Sequence, residues 1–146
     1  MAEDILPWIG VDLDSTLAHY DSWRGIDHIG EPIWPMVERV KKWLADGHQV
    51  KIFTARVCRE NGKNADVLAT LYIQQWLVEK CGLPALEVTN VKDFGMFQLW
   101  DDRCIQIVAN TGKTVPEARD LVVLRRQEYE ELLRSARSNV PLDFAP

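Results

Sequence analysis

A membrane-spanning apolar run and a cysteine framework are both missing from this chain. No apolar stretch approaches the roughly 20 residues needed to span a bilayer. The opening residues MAEDILPW are acidic where a secretory leader is basic and then apolar. Cysteine is scarce: Cys58, Cys81 and Cys104 are an odd number, far apart, with no CxxC pair. That excludes a disulfide scaffold or zinc site and fits reduced thiols in a cytoplasmic protein. Basic charge is also short. Lys and Arg number 17 against 22 Asp and Glu, a net charge of −5, which argues against broad attraction to nucleic acid but leaves room for a local basic patch. Internal repeats and low-complexity tracts are absent as well.

What remains is an ordinary globular composition in 146 residues, enough for one domain over residues 1–146. Strand-like and helix-like segments alternate. Trp8–Asp12 is an apolar run ending in acid, the mark of a buried parallel strand. Residues 17–31 lack a helical period and carry Gly25 and Gly30, which predicts a loop or small hairpin. From Pro32, apolar residues at Ile33, Met36, Val37, Val40, Trp43 and Leu44 have helical spacing, stopped by Asp46-Gly47. Gln49–Thr54 is the next strand. A second helix is expected from Asn64 to Lys80, with Leu68, Tyr72 and Trp76 on one stripe and Ala69, Ile73 and Leu77 beside it. Gly82 and Pro84 end it. Short strands are expected at Leu86–Thr89, Phe97–Trp100 and Cys104–Val108. A last helix starts with the capping box Thr114/Glu117 and fades near Ser135, leaving residues 138–146 as a tail.

This alternation predicts an α/β fold: a three-layer α/β/α sandwich around a central, mostly parallel sheet. In such sheets the working groups gather beyond the carboxyl ends of the strands. Asp12 and Asp14, Thr54, and Asp101 with Asp102 all end or follow strands, and Lys92 follows another. They should meet on one rim.

An Asp-x-Asp alone arises by chance about once in a chain of this composition. The order of the pieces carries more. V-D-L-D-S-T-L at 11–17, F-T-A-R at 53–56, Lys92 and L-W-D-D-R at 99–103 together resemble the haloacid-dehalogenase-like phosphatases. The resemblance covers residues 8 to about 108. Two departures are Ser15, where glycine is commoner, and Val91-Lys92-Asp93, where a proline often follows the lysine; Lys80 is the second candidate for that lysine.

The chemistry asks for these residue types. A carboxylate can attack a doubly negative phosphate monoester only when the charges are neutralised, by magnesium held on carboxylates and by a lysine. The resemblance implies Asp12 as nucleophile forming an aspartyl-phosphate and Asp14 as general acid and base. It implies Mg2+ on Asp12, Asp14 (through its backbone carbonyl), Asp101 and Asp102. It gives phosphate binding to Thr54, Lys92 and the backbone at Ala55. Arg56 and Arg103 fit either phosphate contact or an ordinary salt bridge. His19, Tyr20, Trp23, Arg24 and His28 lie in the loop after the nucleophile, where this family places a substrate-facing flap.

The gaps after the first motif (17–31) and between the second and third (55–91) are too short for a cap domain, as in the capless group of the family. That group tends to act on macromolecular ends or to borrow a neighbouring subunit as lid. The expectation is therefore a magnesium-dependent phosphomonoesterase acting on a nucleotide or polynucleotide end. A sugar-phosphate phosphatase of the same fold is an alternative. Another is a phospho-accepting receiver-like or inactive binding domain, though receivers carry their acidic pair first and the acceptor later. A phosphorylated small molecule or nucleic-acid end is the expected partner, and the last helix offers a candidate homo-oligomer surface. Asn110-Thr111-Gly112-Lys113-Thr114 imitates the tail of a phosphate-binding loop, but Ile107 stands where its first glycine belongs, so it reads as a turn.

Overall fold

Four short apolar segments become strands: β1 (Trp8–Val11), β2 (Gln49–Phe53), β3 (Val88–Thr89) and β4 (Met96–Trp100). A computed structural model describes them among residues 6–115, together with Glu130, Glu131 and Arg134. The strands form one sheet in the order β3-β2-β1-β4, with every pair parallel. All four residues of β1 are buried, as expected of a central strand.

Two helices connect the strands. Helix α1 (Trp34–Ala45) has Pro35 in its first turn and buries Met36, Val37 and Val40. Helix α2 (Ala65–Trp76) runs on as a π-helical turn, Leu77–Cys81, and stops at Gly82 in the left-handed conformation. Side chains of a strand alternate between faces, so Ile9, Val11, Val50 and Ile52 share one face. They join Met36, Val37 and Val40 of α1 and Ala69, Ile73 and Trp76 of α2 in a single core. Both helices therefore lie on the same side of the sheet, and the described residues form two layers. The helix expected from Thr114 to about Ser135, and the tail 138–146, lie outside the described residues apart from Thr114, Val115 and three positions near the helix end.

Two expectations need correction. The buried stripe of α2 is Ala65, Ala69, Ile73 and Trp76, while Leu68 and Tyr72 face outward. The helix is apolar on several sides, so its period alone could not choose the face. Residues 104–108 form no strand. Ile107 instead makes an isolated antiparallel bridge to Thr114 around a turn with Asn110 and Gly112 at positive φ, the turn into which the mimic of a phosphate loop resolves. The link from β3 to β4 contains no helix, and it is fastened at the foot of β1, where Asp93 accepts the Trp8 indole N–H at 2.8 Å and Gly95 O accepts Trp8 N–H at 2.8 Å.

The loop after β1 is tied back at its base. Ala18 bridges both Asp14 and Pro32, His19 N–H donates to Glu31 O at 2.9 Å, and Ile33 N–H donates to Leu17 O at 2.8 Å. The Trp76 indole N–H donates to Gly30 O at 3.0 Å, fixing the returning stem to α2. Leu17 and Ala18 are fully buried, so the flap proper begins at His19. The two stems approach so closely at Gly30 that a Cβ there would run into the His19 carbonyl. Gly30→Ala should therefore lower stability by about 1–3 kcal/mol through overpacking. Urea unfolding checks this; a variant as stable as the parent would mean that the stems do not pack this closely.

Candidate active site at the switch point between adjacent strands

From β1 the chain moves to β2 and β3 on one side, then returns to place β4 on the other. The topological switch point is the crevice between β1 and β4. Val11 pairs with Trp100, and Asp12 N–H donates to Trp100 O at 2.9 Å. The ladder thus runs to its last rung, and the next residues of the two strands, Asp12 and Asp101, emerge side by side. Asp12, Asp101 and Asp102 each bring a carboxylate oxygen within 4.8 Å of the others.

Thr16 stands among these acids. Its hydroxyl lies 3.3 Å from Asp12 Oδ2 and 3.4 Å from Asp102 Oδ1, and it accepts the Asp102 N–H at 3.2 Å. One hydroxyl proton can serve only one carboxylate at a time, so Thr16 cannot neutralise the pair. Asp101 caps its own turn by accepting the Arg103 N–H at 2.8 Å. Burial first, and then the charge of Asp101, a hydrogen bond with Asp102 and the charges of Asp102 and Asp14, push the Asp12 carboxyl up to about 8. Burial first, and then the charges of Asp101, Asp12 and Asp102, raise the nearby Cys104 thiol above its ordinary range, with Lys92 opposing them.

This donor set fits a hard divalent cation. Magnesium takes oxygen ligands at about 2.1 Å, which sets neighbouring ligand oxygens about 3–4 Å apart, compatible with three carboxylates whose oxygens lie within 4.8 Å of one another. Burial raises Asp12 most, and the repulsion that adds to it is what a cation would relieve.

Asp14 faces a different environment. Arg56 Nε donates to its Oδ2 and Nη2 to its Oδ1, each at 2.8 Å. This is a fork-on-carboxylate pair, and the Arg56 side chain is only 5% exposed. Its third nitrogen, Nη1, donates to His28 O at 3.0 Å and Ile26 O at 3.5 Å. Its guanidinium carbon lies 5.0 Å from the centre of the Trp23 ring. Of the two readings open for Arg56, the structure shows the ion pair, and the arginine expected among the phosphate ligands is turned toward Asp14.

The other expected residues fall as follows. Thr54 is buried just beyond β2, its N–H donating to Thr89 O at 3.0 Å, and its hydroxyl oxygen accepts the Arg56 N–H at 3.2 Å. That leaves the hydroxyl proton to donate. Ala55 opens the 3-10 turn that follows. Lys92 is exposed after β3, close enough for its charge to act on Cys104. Lys80 sits in the last turn after α2, at the rim opposite the acids. In the flap, Tyr20 is held above its usual range by burial and by the charge of Asp14, with Arg56 and Arg103 opposing. Trp23 packs on Arg56, whereas Arg24 pairs with Asp21 at 2.7 Å in solvent and His19 is exposed.

Two features had no role assigned from the sequence. Thr16 stands inside the first motif, two residues after Asp14, and that position was the available signal. The fork between Arg56 and Asp14 had no signal, because the partners are 42 residues apart.

Between pH about 4 and 8 the native state keeps a proton on Asp12 that the unfolded chain has released. Metal-free protein should therefore lose stability from this group as pH rises through that window. Denaturant midpoints measured with chelator should show the loss, and either magnesium or Asp12→Asn should reduce it. A midpoint equally dependent on pH in parent and Asp12→Asn would rule out Asp12 as the origin of the loss.

Compared with protein-family models, with curated proteins and with solved structures, the chain matches none.

Proposed function

We propose that the protein is a magnesium-dependent phosphomonoesterase of the haloacid-dehalogenase-like type. The observation that carries this reading is the gathering of Asp12, Asp101 and Asp102 at the switch point, with Asp14 two residues beyond Asp12. A surface patch of acids needs no such register. Here two strand tips present carboxylates that only a cation or a proton can reconcile.

Asp12, Asp101 and Asp102 would hold the magnesium ion, which supplies positive charge against these acids and the phosphoryl oxygens. A carboxylate oxygen of Asp12 attacks phosphorus, the bond from phosphorus to the ester oxygen breaks, and Asp14 gives that oxygen its proton. Asp12 is then an acyl phosphate. Asp14 next takes a proton from water, the water oxygen bonds to phosphorus, and the bond to Asp12 breaks. Inorganic phosphate leaves and both carboxyls return to their starting states. Thr54 is suited to donate its free hydroxyl proton to a phosphoryl oxygen, and Lys92 and the Ala55 amide are the further anion-binding candidates. Catalysis of this kind is mostly positioning and charge stabilisation.

With a generic aryl phosphate and magnesium, the protein should release phosphate over many turnovers. Asp12→Asn should lower kcat by about 10³-fold or more while remaining folded by circular dichroism. Full activity in Asp12→Asn, or in excess chelator, would overturn the mechanism. A single phosphorylation without turnover would indicate a phospho-acceptor domain instead.

A further inference from the structure

Arg56 joins parts of the molecule that the chain keeps apart. Two of its nitrogens grip both oxygens of Asp14, and the third reaches the backbone of the flap at Ile26 and His28. Its guanidinium carbon lies over the Trp23 ring of the flap, and the Arg56 backbone N–H donates to the Thr54 hydroxyl oxygen. Every nitrogen of the guanidinium therefore has a partner within the protein. At 5% side-chain exposure the pair lies outside the class of solvated surface bridges that contribute little. Removing one member would leave a largely buried charge uncompensated.

We propose that Arg56 is a positioning residue that couples the flap to Asp14, so that a docked flap aims the general acid of the reaction proposed above. Each oxygen of a carboxylate has two lone-pair sites. The fork takes one on each oxygen and fixes the plane of the group, leaving the others for a proton passed to or from the substrate. Asp14 retains 21% side-chain exposure for that contact. When the flap lifts, the carbonyls of Ile26 and His28 and the Trp23 ring leave Arg56 together. The fork is then held by Asp14 alone and the carboxyl is free to turn. An arginine suits this task because its planar fork fixes two oxygens at once, which an ammonium group cannot do.

Two measurements test the coupling. The first needs no activity: amide hydrogen exchange across residues 19–31 in parent, Arg56→Lys, Asp14→Asn and Trp23→Ala proteins. Faster exchange in the flap for Arg56→Lys and Asp14→Asn, with β1, β2 and α1 unchanged, is expected. Unchanged flap exchange in both would overturn the proposal.

The second uses leaving groups of different acidity. An alkyl phosphate needs protonation of its leaving oxygen far more than a p-nitrophenyl ester does. Arg56→Lys should therefore lower kcat for the alkyl ester about tenfold or more beyond its effect on the aryl ester, with Trp23→Ala lowering it in the same sense. An equal fall for both esters, carried by KM, would make Arg56 a phosphate ligand and overturn the positioning role. If the parent turns over no phosphomonoester, the reading as a phosphatase fails, and the exchange experiment alone decides whether Arg56 ties the flap to Asp14.

Discussion

Mutual repulsion between carboxylates is the constraint on which the candidate site depends. Asp12, Asp101 and Asp102 would separate if their backbone allowed it, and parallel pairing of β1 with β4 does not. The last rung of that ladder, from Asp12 N–H to Trp100 O, locks the two strand tips in register before either side chain begins. Backbone hydrogen bonding and core burial under Ile9 and Val11 thus oppose an electrostatic penalty concentrated on Asp12. Binding sites are often held under such tension, because the group that relieves it gains affinity from the relief.

A second electrostatic solution stands beside the first. Asp14 is two residues from Asp12, yet its charge is met by a nearly buried arginine, whereas the charges that weigh most on Asp12 are those of other acids. Neighbouring acids with such different surroundings can take different roles, one as nucleophile and metal ligand, the other as a proton carrier. Leu13 alone separates them, and just beyond Asp14 the left-handed backbone of Ser15, φ 70°, opens the turn in which Ser15 N–H donates to Ala18 O at 2.8 Å. That is a backbone conformation glycine adopts at less cost than serine.

Much of this arrangement was legible in the sequence because it is local. Apolar runs bounded by acids gave β1 and β4, and the spacing from Ile33 to Leu44 gave α1. The rule that strand tips carry the chemistry then placed Asp12 with Asp101 and Asp102. Features that depend on tertiary choice were not legible. The inward face of α2 turned on which of two apolar stripes met the sheet, and Ala65 and Ala69 won over Leu68 and Tyr72. The run from Cys104 to Val108 has strand composition, but it meets Thr114 across a tight turn and lies at the surface. Arg56 could be recognised as an anion-seeking residue, yet nothing in the sequence distinguishes a phosphate from the carboxylate of Asp14. Among the described residues no helix is long and apolar enough to cross a membrane, in keeping with the absence of long apolar runs.

The loop over the site is stitched at both stems, by Ala18 to Pro32, by His19 to Glu31, and by the Trp76 indole to Gly30. A strap anchored in this way behaves differently from a lid on a hinge. It can bow outward between its stitches, but it cannot swing clear of the rim. Its outward movement is therefore confined to the span between the stitches, the span that carries Trp23 and the Ile26 and His28 carbonyls held on Arg56.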